Sequence, residues 1–126
     1  MNCEFKKSER LCSKKLIEAL FDGKHKSVSA YPIRAVFMTN EEAASLPPVQ
    51  VLMSVSKRHF KHAVDRNRVK RQLREAYRLN KHLLAETLPD SMHMTIAFIW
   101  LSDELFPTSV VHSKMQKLLL RISEEK

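Results

Sequence analysis

Glycine is almost missing from this chain: Gly23 stands alone among 126 residues. That excludes a Gly-rich phosphate loop, which needs several positions where backbone can approach a phosphate closely. Cysteine is nearly as scarce. Cys3 and Cys12 have no metal-ligand spacing and read as two incidental thiols, reduced in a cytosol. No unbroken apolar run is longer than Ile96 to Leu101, which is too short to cross a bilayer. The opening residues MNCEFKKSERLCSKK are polar and charged, so no signal peptide is expected there. The expected location is cytoplasmic, with no membrane partner. Catalytic patterns are missing too. There is no Gly-x-Ser-x-Gly, no Cys/His arrangement and no cluster of carboxylates to hold magnesium. His59 and His62, three apart, could share a helical face, but zinc would need further ligands at suitable spacing. No catalytic residue and no metal ligand is assigned to this chain.

What is present is positive charge, and it is concentrated. Lys57 to Lys81 reads KRHFKHAVDRNRVKRQLREAYRLNK and holds ten basic residues against two acidic ones, Asp65 and Glu75. The difference, +8, equals the net charge of the whole protein, and the remaining 12 basic and 12 acidic residues balance. With a pI near 9.7, the chain is expected to bind a polyanion.

The same stretch has helical periodicity. At about 100° per residue, Val69, Leu73, Ala76, Asn80 and Leu83 share one side, with Tyr77 and Leu84 flanking. Asn67, Lys70, Arg71, Arg74, Arg78 and Lys81 fall opposite. Like charges at i, i+4, such as Lys70/Arg74 and Arg74/Arg78, cost about 0.2–0.5 kcal/mol each. A solvated face normally mixes signs, whereas only Glu75 offsets this one. Guanidinium forks match phosphate oxygens bidentately and stack on bases. Asn67, between Arg66 and Arg68, adds a group that donates and accepts. The candidate RNA-binding residues are Lys57, Arg58, Lys61, Arg66, Asn67, Arg68, Lys70, Arg71, Arg74 and Arg78.

Around this helix the chain reads as one domain, residues 1–126, behind a flexible lead-in of residues 1–10. Ser13 can cap a short helix that Gly23 ends, with Leu16, Ile17, Leu20 and Phe21 on its apolar side. A short strand near Val28 to Tyr31 is followed by one from Ile33 to Thr39. Asn40 to Pro48 is a loop. Val49 to Ser56 alternates clearly, with Val49, Val51, Met53 and Val55 inward. The basic helix starts between His59 and Arg66 and runs to about Leu84, and Pro89 closes the next turn. Met92 to Leu101 is apolar on both faces and reads as a central strand. Thr108 or Ser109 can cap a last helix with Val111, Met115, Leu118, Leu119 and Ile122 inward. This is an α+β layer of helices on one small sheet.

AVDRNRVKRQLREAYR, preceded by SVSKR, resembles the Arg-Asn-Arg motif of the protein subunit of bacterial ribonuclease P. The matching positions are Lys57, Ala63, Val64, Arg66, Asn67, Arg68, Lys70, Arg71, Arg74 and Glu75. The likeness is strong from Ser54 to Arg78 and weaker elsewhere. It implies an αβββαβα fold with a mixed sheet and a left-handed βαβ crossover at the basic helix, similar to the second domain of the fifth protein of the small ribosomal subunit. General rules would favour the right-handed crossover. It implies a ribonucleoprotein endoribonuclease whose RNA subunit carries the catalytic site and its magnesium. The protein would bind that RNA and the 5′ leader of precursor tRNA, broadening substrate specificity and lowering the magnesium requirement. Arg66, Asn67, Arg68, Lys70, Arg71 and Arg74 would contact the catalytic RNA. Lys57, the sheet face and the first helix would form a leader cleft, with Leu16, Leu20, Phe21 and Trp100 as candidate members. Two departures stand out: Leu16 and Leu20 occupy a helix where the family often has aromatics, and Trp100, Leu101, Ser102 and Asp103 occupy a segment where it tends to be basic.

Two rivals remain on sequence grounds. One is a ribosomal or general RNA-binding protein that processes no substrate. The other is a DNA-binding module with the basic helix in a major groove. A recognition helix usually follows another helix, whereas this one follows a strand, so DNA is not expected as a partner. Alanine at Arg66 and Arg68 is expected to weaken RNA binding with little loss of fold, since both lie off the apolar stripe.

Overall fold

Strand alternation and helical periodicity meet in one sheet. The computed structural model describes residues 10, 17, 18, 20, 21, 25–40, 49–86 and 93–125. Residues 1–9 and 41–48, Ser13, Leu16, Gly23 and Pro89 lie outside the described residues, as do both cysteines; Asn40, expected to open a loop, ends a strand instead. Four strands, β1 (Lys26–Ala30), β2 (Ile33–Asn40), β3 (Val49–Ser54) and β4 (His93–Trp100), form a sheet in the order β1-β2-β4-β3. β1 and β2, and β2 and β4, pair antiparallel, and β3 and β4 pair parallel. A mixed sheet in a small α+β domain is therefore the observed fold.

Its centre explains the composition of its strands. β4 has a neighbour on each side and layers on both faces, so it is mostly apolar, with His93 and Thr95 its polar members, and almost wholly buried. β1 is an edge strand, and only Val28 of its five residues is buried. β3 and β4 run parallel and adjacent, which requires a crossover. The basic helix supplies it: α1 (Ala63–Asn80), followed by the short α2 (His82–Ala85). Lys81 between them keeps helical angles, φ −60 and ψ −24, so the helical path runs on to Ala85. The last helix, α3, spans Thr108–Glu125.

Parity along the strands divides the core in two. Ile33, Ala35 and Phe37 of β2, Val49 and Val51 of β3, and Met94, Ile96, Phe98 and Trp100 of β4 face the main cluster. There they meet Val69, Leu73, Ala76 and Tyr77 of α1 and Val111, Met115, Leu118, Leu119 and Ile122 of α3. Tyr77 packs on Phe98 with ring centroids 5.8 Å apart. The opposite face carries a smaller cluster of Leu20, Val36 and Ala97, with Ile17, Met38, Leu52 and Ile99 packed against it. Residues 17, 18, 20 and 21 are helical, so the sheet has helical cover on both sides.

Two amides fasten α1 to α3. Gln72 Nε2 donates to the Phe106 carbonyl at 3.0 Å and to Thr108 Oγ1 at 3.1 Å. Asn80 Nδ2 donates to the Ala76 carbonyl at 2.8 Å and lies 3.1 Å from His112 Nε2. The start of α3 differs from the sequence reading. The Pro107 carbonyl accepts from Val110 and Val111, so Pro107 holds the capping position, while the Thr108 hydroxyl serves Gln72. The Tyr31–Pro32 peptide is cis.

Candidate nucleic-acid interface

The helix brings its apolar stripe to the core and leaves its cations outside, because one periodic pattern sets both. Val69 and Leu73 are fully buried. Asn67, Arg68 and Arg71 are exposed, and Lys70, Arg74 and Arg78 are half-buried. Over the eleven residue steps from Asn67 to Arg78 the helix rises about 16 Å, and Asn67, Arg71, Arg74 and Arg78 form one row along it. Lys57, Arg58 and Lys61 are exposed in the turn between β3 and the helix. Arg58 N–H donates to Ser56 Oγ at 3.1 Å, which shapes that turn. Lys57, Arg58, Lys61, Arg68, Lys70, Arg71 and Arg74 form no ion pair with any described residue. Seven cations without a carboxylate partner among the described residues make this surface strongly positive.

Two of the expected contacts are otherwise engaged. Arg66 Nη1 donates to the carbonyls of Phe60 at 2.7 Å and Lys61 at 3.0 Å. The helix has no side-chain N-cap: His62 is extended and makes no capping bond. Arg66 instead ties the entering loop to the first turn. The expectation that Arg66 could be removed with little loss of fold is therefore corrected. Arg66→Ala should lower stability by about 1–3 kcal/mol, since hydrogen bonds to a charged group are the strong ones. Arg68→Ala should leave melting unchanged, and equal melting temperatures for the two variants would show that the clamp carries no load. Arg78 is paired with Glu75, its Nε donating to Oε2 at 3.2 Å. The hydrogen bond from Arg78 holds the Glu75 carboxyl below its ordinary value of 4.5; slight desolvation opposes this and the Arg78 charge reinforces it. The pair is formed above that pH range and weakens as pH falls through the lowered value. Asp65 forms no ion pair with a described residue and complements the helix N-terminus.

His59 and His62 do not share a helical face, because both precede the helix. His59 Nδ1 donates to Asp103 Oδ1 at 2.6 Å, which ties the basic turn to the loop after β4. Among the described residues no three His, Cys, Asp or Glu side chains converge. No helix among them is long and apolar enough to cross a membrane.

The proposed cleft residues separate. Trp100 is fully buried, on the main-cluster face, with Phe106 edge-on at 5.6 Å. Leu20 is fully buried in the smaller cluster. Neither can stack on a base, and both are core. Phe21 is 44% exposed and stays available. The sequence reading missed the half-buried Met38, Leu52 and Ile99 beside Leu20. Their i, i+2 placement opposite the main core was the signal for them.

A strongly basic crossover helix on a mixed sheet has relatives. The family model for ribonuclease P matches residues 5–123. The chain belongs to the ribonuclease P protein family. The ribonuclease P protein component of Porphyromonas gingivalis is 46% identical over 118 residues, covering 93% of this chain and 85% of that protein. The component from Chlorobium phaeobacteroides is 34% identical over 131 residues, covering 94% and 89%. Among solved structures, the ribonuclease P protein of Thermotoga maritima superposes with a TM-score of 0.69 at 24% identity, covering 90% of this chain and 96% of that one. The Staphylococcus aureus protein gives 0.70 at 21%, covering 92% and 95%. A ribonuclease P protein is one part of a ribonucleoprotein endoribonuclease that matures the 5′ ends of tRNA, and catalysis lies with its RNA. The likeness, strong from Ser54 to Arg78 and weaker elsewhere in the motif reading, extends over residues 5–123 in the family model.

Proposed function

We propose that this chain holds the ribonuclease P RNA on the exposed face of α1 and the turn before it, and the 5′ leader of precursor tRNA on the second face of the sheet. The observation that carries the reading is the set of seven cations without carboxylate partners among the described residues. Arg68, Lys70, Arg71 and Arg74 contribute the phosphate contacts of the helix, and Lys57, Arg58 and Lys61 those of the turn. Asn67 adds a hydrogen-bonding group able to meet a ribose hydroxyl. Arg66 shapes this surface through the loop, and Arg78 contributes after exchanging Glu75 for phosphate. Phe21, Lys57 and the half-buried Met38, Leu52 and Ile99 line the leader side.

Fixed cations take over part of the phosphate neutralisation that metal ions otherwise supply, so the complex works at lower free magnesium. Magnesium itself is held mainly by the RNA. The donors on this chain suit phosphate rather than a divalent cation, and the work is expected in the cytoplasm. No DNA partner is proposed.

The deciding experiment is cleavage of a precursor tRNA by a bacterial ribonuclease P RNA at low magnesium, with and without this protein. Strong activation that yields the normal mature 5′ end is expected. Tight RNA binding without activation would replace this reading with that of a structural RNA-binding protein.

A further inference from the structure

Three loops meet at the end of the sheet where β3 and β4 finish. Ile33, which opens β2, pairs with Trp100 at the end of β4, and Ile99 beside it pairs with Ser54 at the end of β3. The β1–β2 turn, the loop after β4 and the turn after β3 therefore lie side by side, across about two strand spacings of 4.8 Å. Hydrogen bonds tie them together. Leu101 N–H donates to the Pro32 carbonyl at 2.8 Å, and His59 donates to Asp103 at 2.6 Å.

Tyr31 projects from this end. It is 60% exposed, and its ring is held edge-on to Phe106 with centroids 6.3 Å apart. Phe106 is in turn held edge-on to the fully buried Trp100. An exposed aromatic ring alone means little. This one is braced by a column of rings anchored in the core, so its orientation is set before any ligand arrives. Lys57, Arg58 and Lys61 lie on the turn after β3, two strands from β2, without carboxylate partners among the described residues. The acidic groups at this end are Asp103, engaged by His59, and Glu104.

We propose that Tyr31 stacks on an unpaired base of the precursor tRNA leader, extending the leader's contact surface to the end of the sheet beside the Lys57–Lys61 turn. An aromatic platform within reach of a cation is the chemistry of single-strand binding: the ring takes a base face and Lys57, on the leader side of the turn, takes the backbone. A folded RNA keeps most of its bases paired and stacked, whereas a leader offers bases that are free to stack. The inference rests on the RNA-binding reading above.

The test uses the complex reconstituted with its catalytic RNA, and two precursor tRNAs that differ only in leader length. Tyr31→Leu keeps an apolar contact with Phe106 but removes the ring. It should weaken binding of the long-leader substrate about tenfold and leave the short-leader substrate unchanged. Tyr31→Phe and Tyr31→Trp should bind as the unaltered protein does. An equal affinity of Tyr31→Leu for the long leader would overturn the proposal. So would a loss shared by the short leader, or a loss that appears instead in affinity for the catalytic RNA. The RNA-binding reading stands or falls on a different measurement, the affinity of Arg68 and Arg71 variants for the catalytic RNA, so the two failures are distinguishable.

Discussion

Replacing Arg68 and Arg71 together with alanine should weaken binding of the catalytic RNA about a hundredfold while leaving the melting temperature where it was. Both side chains are exposed and neither has an ion-pair partner among the described residues, so the folded protein loses nothing it uses. The RNA loses two charge-assisted contacts, each worth about 1.5 kcal/mol or more, and about 1.4 kcal/mol is tenfold. Salt separates this from a general loss of affinity. Each phosphate contact adds about 0.7–0.9 to the slope of log affinity against log salt, so the double variant should flatten it by about 1.4–1.8. The Arg68→Lys, Arg71→Lys variant keeps both charges and gives up the bidentate forks. It should preserve the slope while still binding more weakly. Titrations of labelled RNA across a salt series read all three quantities. An unchanged slope in the alanine variant would remove the α1 face as the RNA site.

Leu73→Ala is the opposite experiment. Leu73 is fully buried between the sheet and α3, and truncating such a leucine costs about 2–5 kcal/mol through lost burial and the cavity left behind. Total stabilities are only about 5–15 kcal/mol, so a large share of the fold would go. Thermal melts should shift down by about 10 °C or more for a domain of this size. Because RNA binds the folded state, saturating RNA should recover part of that loss by mass action. Retention of the full melting temperature would mean that α1 is rotated away from the orientation described.

Arg68, Arg71 and Leu73 lie within five positions of one another on one helix, and the helical period alone places the first two outside and the third inside. The period fails where contacts come from elsewhere. Arg66 looks like its neighbours in the pattern, but its partners are carbonyls of Phe60 and Lys61, in a loop with no periodicity. Gln72 is buried despite its polarity because a loop carbonyl and Thr108 meet it, more than thirty residues along the chain. β4 was recognisable as central, since it is apolar on both faces. Alternation alone could not say that the Trp100 side would be closed by Phe106. The sequence at Phe106 looks like a polar loop, and one inward ring there converts an apparent surface tryptophan into core. Leu20 follows the same logic: its place on the apolar side of its helix favoured core over cleft, and the sheet face it meets was not visible from its own segment. The His59–Asp103 bond joins residues 44 apart in sequence, which no local pattern signals.

The two amides between α1 and α3 have a consequence for entropy. Apolar packing fixes a helix's depth on a sheet but tolerates small rotations and slips, since dispersion is weakly directional. Gln72 and Asn80 impose direction, with donors that fit partners on or beside α3 at one rotational setting of α1. They act as keys that set the phase of the cation row. An RNA arriving at this surface meets positive charges already held at fixed azimuth and spacing along the helix. The disorder that a flexible basic tail would surrender on binding has here been surrendered during folding.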